Sequence, residues 1–344
     1  MLETAPICTR GGESPCIPYA ASSLKAADKS FDITLLPIGK TPAKYHKYFE
    51  KAKKRWEEIV VGDMIGYTAK EAPDSGWFGG YFGKGSDFHG AVDDIVIGYK
   101  IRAIDGKNKV VGNSEIIKER AGRAAHKARQ QQTPISAVME FDSADVDDLI
   151  KTGYFQTVVL HEMGHALGIG YAWPTPRAKC GGTCTAYQEG ANWDCVAELK
   201  FRHLVTSRPD LKIDITGGLQ LENTGASKAD GTACEHWSET QLGDEIMTAY
   251  ISSTDNPISI VSVGALEDLG YKVNYKAADT MKKEHLPQFS SRRSLRGGDN
   301  AQPTRLHMAS LPRRMVPEGV LKLEDRGAIV DDDETDDEED CAQT

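Results

Sequence analysis

The chain has 344 residues, with 51 acidic against 41 Lys and Arg side chains, a net charge of −10, and 40% of its residues are apolar. That length is enough to bury a substantial core in one large domain or two modest ones. The acidic balance excludes a nucleic-acid binder that works by neutralising phosphates, and no stretch approaches the roughly 18 uninterrupted apolar residues of a membrane-spanning helix.

Residues 1–29 are rich in Gly, Ser, Pro and Ala and read as a loose lead-in; the start, Met1 to Pro6, lacks the basic residues and apolar run of a signal peptide. Phe31 to Leu36 has strand character. Thr41 as N-cap and Pro42 at the first helical position predict a helix, in which Tyr45, Tyr48, Phe49, Ala52, Trp56 and Ile59 form one apolar stripe for the core. Asp74 to Gly90, dense in Gly, Ser and Asp, reads as a long surface loop. Val92 to Ile101 is a predicted strand, followed by an Asp105-Gly106 turn and the apolar pair Val110-Val111. Residues 115–132 are charged and read as a solvated helix or loop, and Ile135 to Phe141 as a further strand. Asp142 to Asp145 offers caps for a helical segment reaching Ile150.

The last predicted ordered element is Ile258 to Leu269, apolar at helical spacing and closed by Gly270. Residues 277–344 are polar and read as a disordered tail. Nine of the ten residues from Asp331 to Asp340 are acidic, which accounts for all but one unit of the net charge. The tail's basic half, around Arg292, Arg293 and Arg296, and this acidic end read as solvated rather than as a partner-binding device. No internal repeat is visible.

Chemistry concentrates in Val158 to Gly168, which contains His161-Glu162-Met163-Gly164-His165. On a helix, positions i and i+4 share a face, so His161 and His165 can offer two imidazoles to one metal ion. Glu162 lies one residue on, beside the metal, where it can take a proton from metal-bound water. A catalytic zinc site needs a third protein ligand and an open position. The compact continuation of the motif would put a third histidine at position 171, which is Tyr171. The next candidate is His236, in Cys234-Glu235-His236-Trp237-Ser238-Glu239, with Met247 eleven residues later. Glu189 and Glu198 are the alternatives for a glutamate third ligand. His203 falls on an amphipathic helix and reads as a packed or exposed histidine; His46, His89, His126, His285 and His307 have no supporting context.

Of seven cysteines, Cys180, Cys184, Cys195 and Cys234 cluster in the segment between the two parts of the motif, with Cys8 and Cys16 at the start and Cys341 at the end. This usage fits an oxidising compartment, with two disulfides in the cluster favoured over a second, structural zinc site. The pairing is open.

His161-Glu162-Met163-Gly164-His165-Ala166-Leu167-Gly168, a long insertion over about residues 169–235, then His236-Trp237-Ser238-Glu239 and Gly243-Asp244-Glu245-Ile246-Met247-Thr248, resembles the leishmanolysin family of metzincin zinc endopeptidases. The similarity extends to about residues 30–276, taking in the Trp56 helix, Val92 to Ile97, Phe141 to Asp145 and Ala265 to Tyr271. The resemblance implies an α+β, metzincin-like fold: a twisted mixed sheet and active-site helix in the N-terminal half, and a mostly irregular or helical C-terminal half across a substrate cleft. It implies one catalytic zinc ion held by His161, His165 and His236, Glu162 as general base, and Met247 in a Met-turn that packs beneath the metal without ligating it. It also implies protein or peptide substrates and a secreted or cell-surface location. No prodomain is recognisable, and the position two after Met247 is Ala249 where some metzincins carry a ligating tyrosine; Tyr250 receives no role. The competing readings are a catalytically silent binding or adhesion module of the same fold, and a zinc peptidase with a glutamate third ligand.

Overall fold

The computed structural model describes residues 30–83, 87–121, 133–172, 196–222, 235–251, 253–287 and 306–307. Its centre is a four-stranded mixed sheet of β1 (Ile33–Pro37), β2 (Ile95–Arg102), β3 (Gly112–Glu119) and β4 (Pro134–Asp142), in the order β1-β2-β4-β3. β1, β2 and β4 run parallel, and β3 lies antiparallel to β4 at the edge. The Val/Ile-rich runs of β2 and β4 follow from burial on both faces, as parallel strands require.

One face packs on two helices, α1 (His46–Ile59) and α3 (Phe155–Ala166). The predicted apolar stripe of α1 is the face that packs: Phe49, Ala52, Trp56 and Ile59 are fully buried. Phe49 stacks on Tyr99 at 3.8 Å between centroids and meets Phe141 and Phe155 edge-on. The Trp56 indole N–H donates to the Leu160 carbonyl at 3.0 Å, fixing α1 against α3. Between β4 and α3, the short α2 (Val146–Thr152) ends at Gly153, whose φ of +84° is the left-handed turn its position needs. The predicted caps there act differently: the Asp142 carboxylate accepts backbone N–H groups of Asp105, Gly106 and Ala144, tying the β2–β3 turn to the end of β4.

Four sequence readings change. The helix expected from Thr41 begins as an α-helix only at His46; Pro42 is extended, residues 43–45 make a 3₁₀ turn, and the Thr41 hydroxyl donates to Ile38 C=O instead of capping. The charged stretch from residue 115 begins inside β3, because an edge strand tolerates Glu and Lys where a central strand does not. The Asp74–Gly90 segment is more than a surface loop: Trp77, Phe78 and Phe88 are buried with Val92, Val96, Ile135 and Val138 as the cover of the sheet's second face. The packed body continues past residue 276, since Met281, His285 and Leu286 are buried and Met281 and Leu286 join the main core.

The rest of the described chain is three helices, a short strand pair and irregular backbone. α4 (Val196–Ser207) packs on α6 (Ile260–Asp268), and the Asp268 carboxylate accepts the Val196 and Ala197 N–H groups at the start of α4. α5 (Glu239–Leu242) is a single turn, and β5 (Tyr250–Ile251) pairs with β6 (Leu306–His307). Mixed sheet and segregated helices agree with the expected α+β class. All seven cysteines, and with them the expected disulfides, lie outside the described residues, as do Glu189 and residues 1–29. No helix among the described residues is long and apolar enough to cross a membrane.

Candidate metal centre

α3 is buried on almost every side, so its two histidines are held by packing rather than by solvent-exposed contacts. Gly164, between them, is where Met247 meets the helix: a Cβ there would lie 2.5 Å from the Met247 sulfur and 3.0 Å from the Trp56 ring. The helix ends at Ala166, and at Gly168 (φ +110°) the chain folds back so that Ile169 C=O lies 2.8 Å from His165 Nδ1. Gly170 (φ +85°) then passes so close to the neighbouring chain that a Cβ would lie 2.2 Å from the Glu235 carbonyl oxygen. This contact brings residue 236 to the end of α3.

His236 sits at a bend in an irregular segment that is pinned on both sides. Glu222 N–H donates to His236 C=O at 2.8 Å, and Trp237 N–H donates to Met247 C=O at 3.0 Å. The result is three buried imidazoles whose Nε2 atoms form a near-equilateral triangle, with edges of 3.0, 3.0 and 3.2 Å. His161 Nδ1 lies 2.6 Å from Ile246 C=O. A carbonyl only accepts, so Nδ1 carries the proton in both His161 and His165 and their Nε2 lone pairs face inward.

Lone pairs converging at this distance repel unless a cation lies between them. Zinc at about 2.0–2.1 Å from each nitrogen, with tetrahedral angles, spaces its ligand nitrogens about 3.3 Å apart, close to the spacing here. Hydrogen bonding of the far ring nitrogen to a carbonyl is the usual support for a ligating histidine. Burial, the nearby His236 and a weaker opposing effect of the Ile246 carbonyl leave the His161 pKa lowered to about 3, and burial with the neighbouring imidazoles lowers that of His165 as well. Both rings are therefore neutral, the form that binds a metal. Among the described residues this is the single cluster of three His, Cys, Asp or Glu side chains able to hold an ion.

Glu162 is buried one residue beyond His161, and burial pushes its carboxyl well above the usual carboxylate range. Its side chain reaches Gly112 at the start of β3, where a Cβ would lie 3.3 Å from Oε1. Of the rival ligands, Glu198 accepts Leu219 N–H at 2.7 Å and pairs with Arg202, and His203 is exposed on α4. His285 is buried against Asp255, and His46 packs on Tyr99. Tyr171 packs its ring 5.0 Å from that of His165. The residues that sequence reasoning missed act through their backbone: Ile169 and Ile246 by their carbonyls, Gly170 by lacking a side chain. The Gly168-Ile169-Gly170 pattern was the one available signal.

Sheet, buried helix and third histidine from a distant segment bring together three histidines that could hold a metal ion, the kind of ligand set used by zinc hydrolases. Residues 123–290 match the model of the leishmanolysin family, the segment that carries all three histidines, Glu162 and Met247. The leishmanolysin resemblance is therefore supported over that span, and the family is one of zinc-dependent metallopeptidases acting on proteins or peptides. The match begins at residue 123, so it does not take in the Trp56 helix or Val92 to Ile97, and it runs beyond residue 276. No curated protein matches the chain.

Proposed function

We propose that the protein is a zinc-dependent endopeptidase. The observation that carries this reading is the triangle of His161, His165 and His236 Nε2 atoms with Glu162 beside it. Zinc held there would polarise the scissile carbonyl and acidify a water molecule. Glu162, one residue beyond His161 on the same helix, takes the proton of the attacking water and returns it to the leaving amine. Met247 packs against Gly164 and holds α3 in place as a structural residue.

β3 supports a binding mode for the substrate. The Asp142 N–H to Val111 C=O bond at 3.1 Å sets the phase of the β3–β4 ladder. Residues 113 and 115 then face β4, and the N–H and C=O groups of Gly112 and Ser114 point away from β4, at a stretch of the sheet's edge that is itself buried. An extended peptide would add there as a further strand, through main-chain bonds that tolerate varied side chains. Gly112 brings that edge to Glu162. The metzincin arrangement, with the substrate in a cleft between the sheet half and the His236–Met247 half, is part of the same proposal.

Replacing Glu162 with Gln is expected to reduce peptide hydrolysis by about 10²–10⁴-fold while one zinc ion stays bound. Retained hydrolysis would overturn the assignment of Glu162.

A further inference from the structure

Glu245 is fully buried and lies two residues before Met247, outside any role considered so far. Its Oε2 accepts the Met247 N–H at 2.7 Å, closing a tight turn over residues 245–247. Its Oε1 accepts three donors from the start of α6: Ser259 N–H at 3.0 Å, Ser259 Oγ at 2.9 Å and Ser262 Oγ at 2.7 Å. A buried carboxylate with four donors is expensive to desolvate and rigid once satisfied, so its position is sharply fixed.

Two connections lead from this carboxylate to the metal ligands. Ile246, inside the turn that Glu245 closes, presents the carbonyl that accepts His161 Nδ1–H at 2.6 Å. Ser262, while donating to Glu245, accepts the Trp237 indole N–H at 2.9 Å, and Trp237 follows His236 directly. Trp237 N–H in turn donates to Met247 C=O. One side chain thus ties the helix-borne ligand and the loop-borne ligand to the same support. We propose that Glu245 is a positioning residue for the metal site, aligning His161 through Ile246 C=O and His236 through Ser262 and Trp237.

The inference rests on the reading of the three histidines as zinc ligands. Glu245→Gln keeps the shape of the side chain but sets an amide NH₂ against either the Met247 N–H or the serine donors, so the turn must shift. The test compares the purified full chain, wild type and variant, by zinc dissociation constant from chelator competition and by the visible spectrum of the cobalt(II)-substituted protein. Zinc affinity is expected to fall about tenfold or more, as when the support of a ligating histidine is lost, with altered cobalt bands. A merely structural role would lower the melting temperature of the metal-free protein and leave affinity and spectrum unchanged; that result overturns the proposal. If Glu245→Gln does not fold, Ser262→Ala takes its place, with an expected loss of about threefold and a changed cobalt spectrum, and wild-type values there overturn it equally. Failure of the wild type itself to bind zinc would defeat the proposed function, a result distinct from a variant that binds as the wild type does.

Discussion

The two parts of the proposed metal site are held in place differently. His161 and His165 ride on a helix packed against both α1 and a four-stranded sheet, so their positions follow from apolar packing spread over many side chains. His236 and Met247 lie on irregular backbone: Trp237, Ile246 and Met247 bury their side chains in the same core, but the path of the chain is set by hydrogen bonds, several of them converging on Glu245, Trp237 and Glu222. Packing distributes its stabilisation and degrades gradually when one residue changes. A hydrogen-bonded loop depends on single atoms, so it is where one substitution should disable the site.

The sharpest way to break this contrast is at the point where the two parts touch. Gly170→Ala puts a methyl 2.2 Å from Glu235 C=O at a φ of +85°. The combined steric and backbone cost is expected to reach about 3 kcal/mol, read by urea denaturation of the metal-free protein, with loss of zinc binding and of hydrolysis. Wild-type stability in this variant would mean that residue 235 can move aside freely and that the loop is not rigidly placed.

The substrate edge offers a milder probe on the packed side. Ser114→Pro removes an N–H that points away from β4, along with the Ser114 hydroxyl bond to Val138 C=O, so the backbone ladder to β4 is kept while a bound peptide loses main-chain bonds. KM is expected to rise about tenfold, the equivalent of one or two hydrogen bonds, with zinc content unchanged. An unchanged KM would remove β3 as the substrate-binding edge.

Asp94 supplies the smallest expected effect on turnover, namely none. Like Glu245 it is a buried carboxylate, but it serves the sheet: its oxygens accept Asp32 N–H and Met64 N–H, each at 2.6 Å. Burial, with help from the charges of Asp93 and Asp63, pushes its pKa up to about 7 against an ordinary 3.8. Between those values the folded protein holds a proton that the unfolded chain releases, so this group's contribution is complete below pH 3.8 and is lost as pH rises through 7. The stability of the metal-free protein should carry a falling component of up to about 1.4 kcal/mol per pH unit over that range. In Asp94→Asn that component should vanish, with zinc affinity untouched. Chemical denaturation at a series of pH values checks it.

How much of this was legible in the sequence follows the same division. The i, i+4 histidines, the α1 stripe and the central strands are written in side-chain periodicity, which packing obeys. β3 escaped because an edge strand may carry Asn, Glu and Lys, and the cover of the second face escaped because Trp77, Phe78 and Phe88 are spaced by a loop rather than by a regular period. His236 and Met247 were reached through resemblance, since nothing in their local pattern gives their distance from α3. The Ile169 and Ile246 carbonyls that orient His165 and His161 leave no mark on residue identity at all.

The most direct test of the central claim is the zinc content of exhaustively dialysed wild-type protein and His236→Ala by elemental analysis. One zinc ion per chain in the wild type and essentially none in the variant is the expected result. A variant that keeps one tightly bound zinc ion per chain would contradict the three-histidine site.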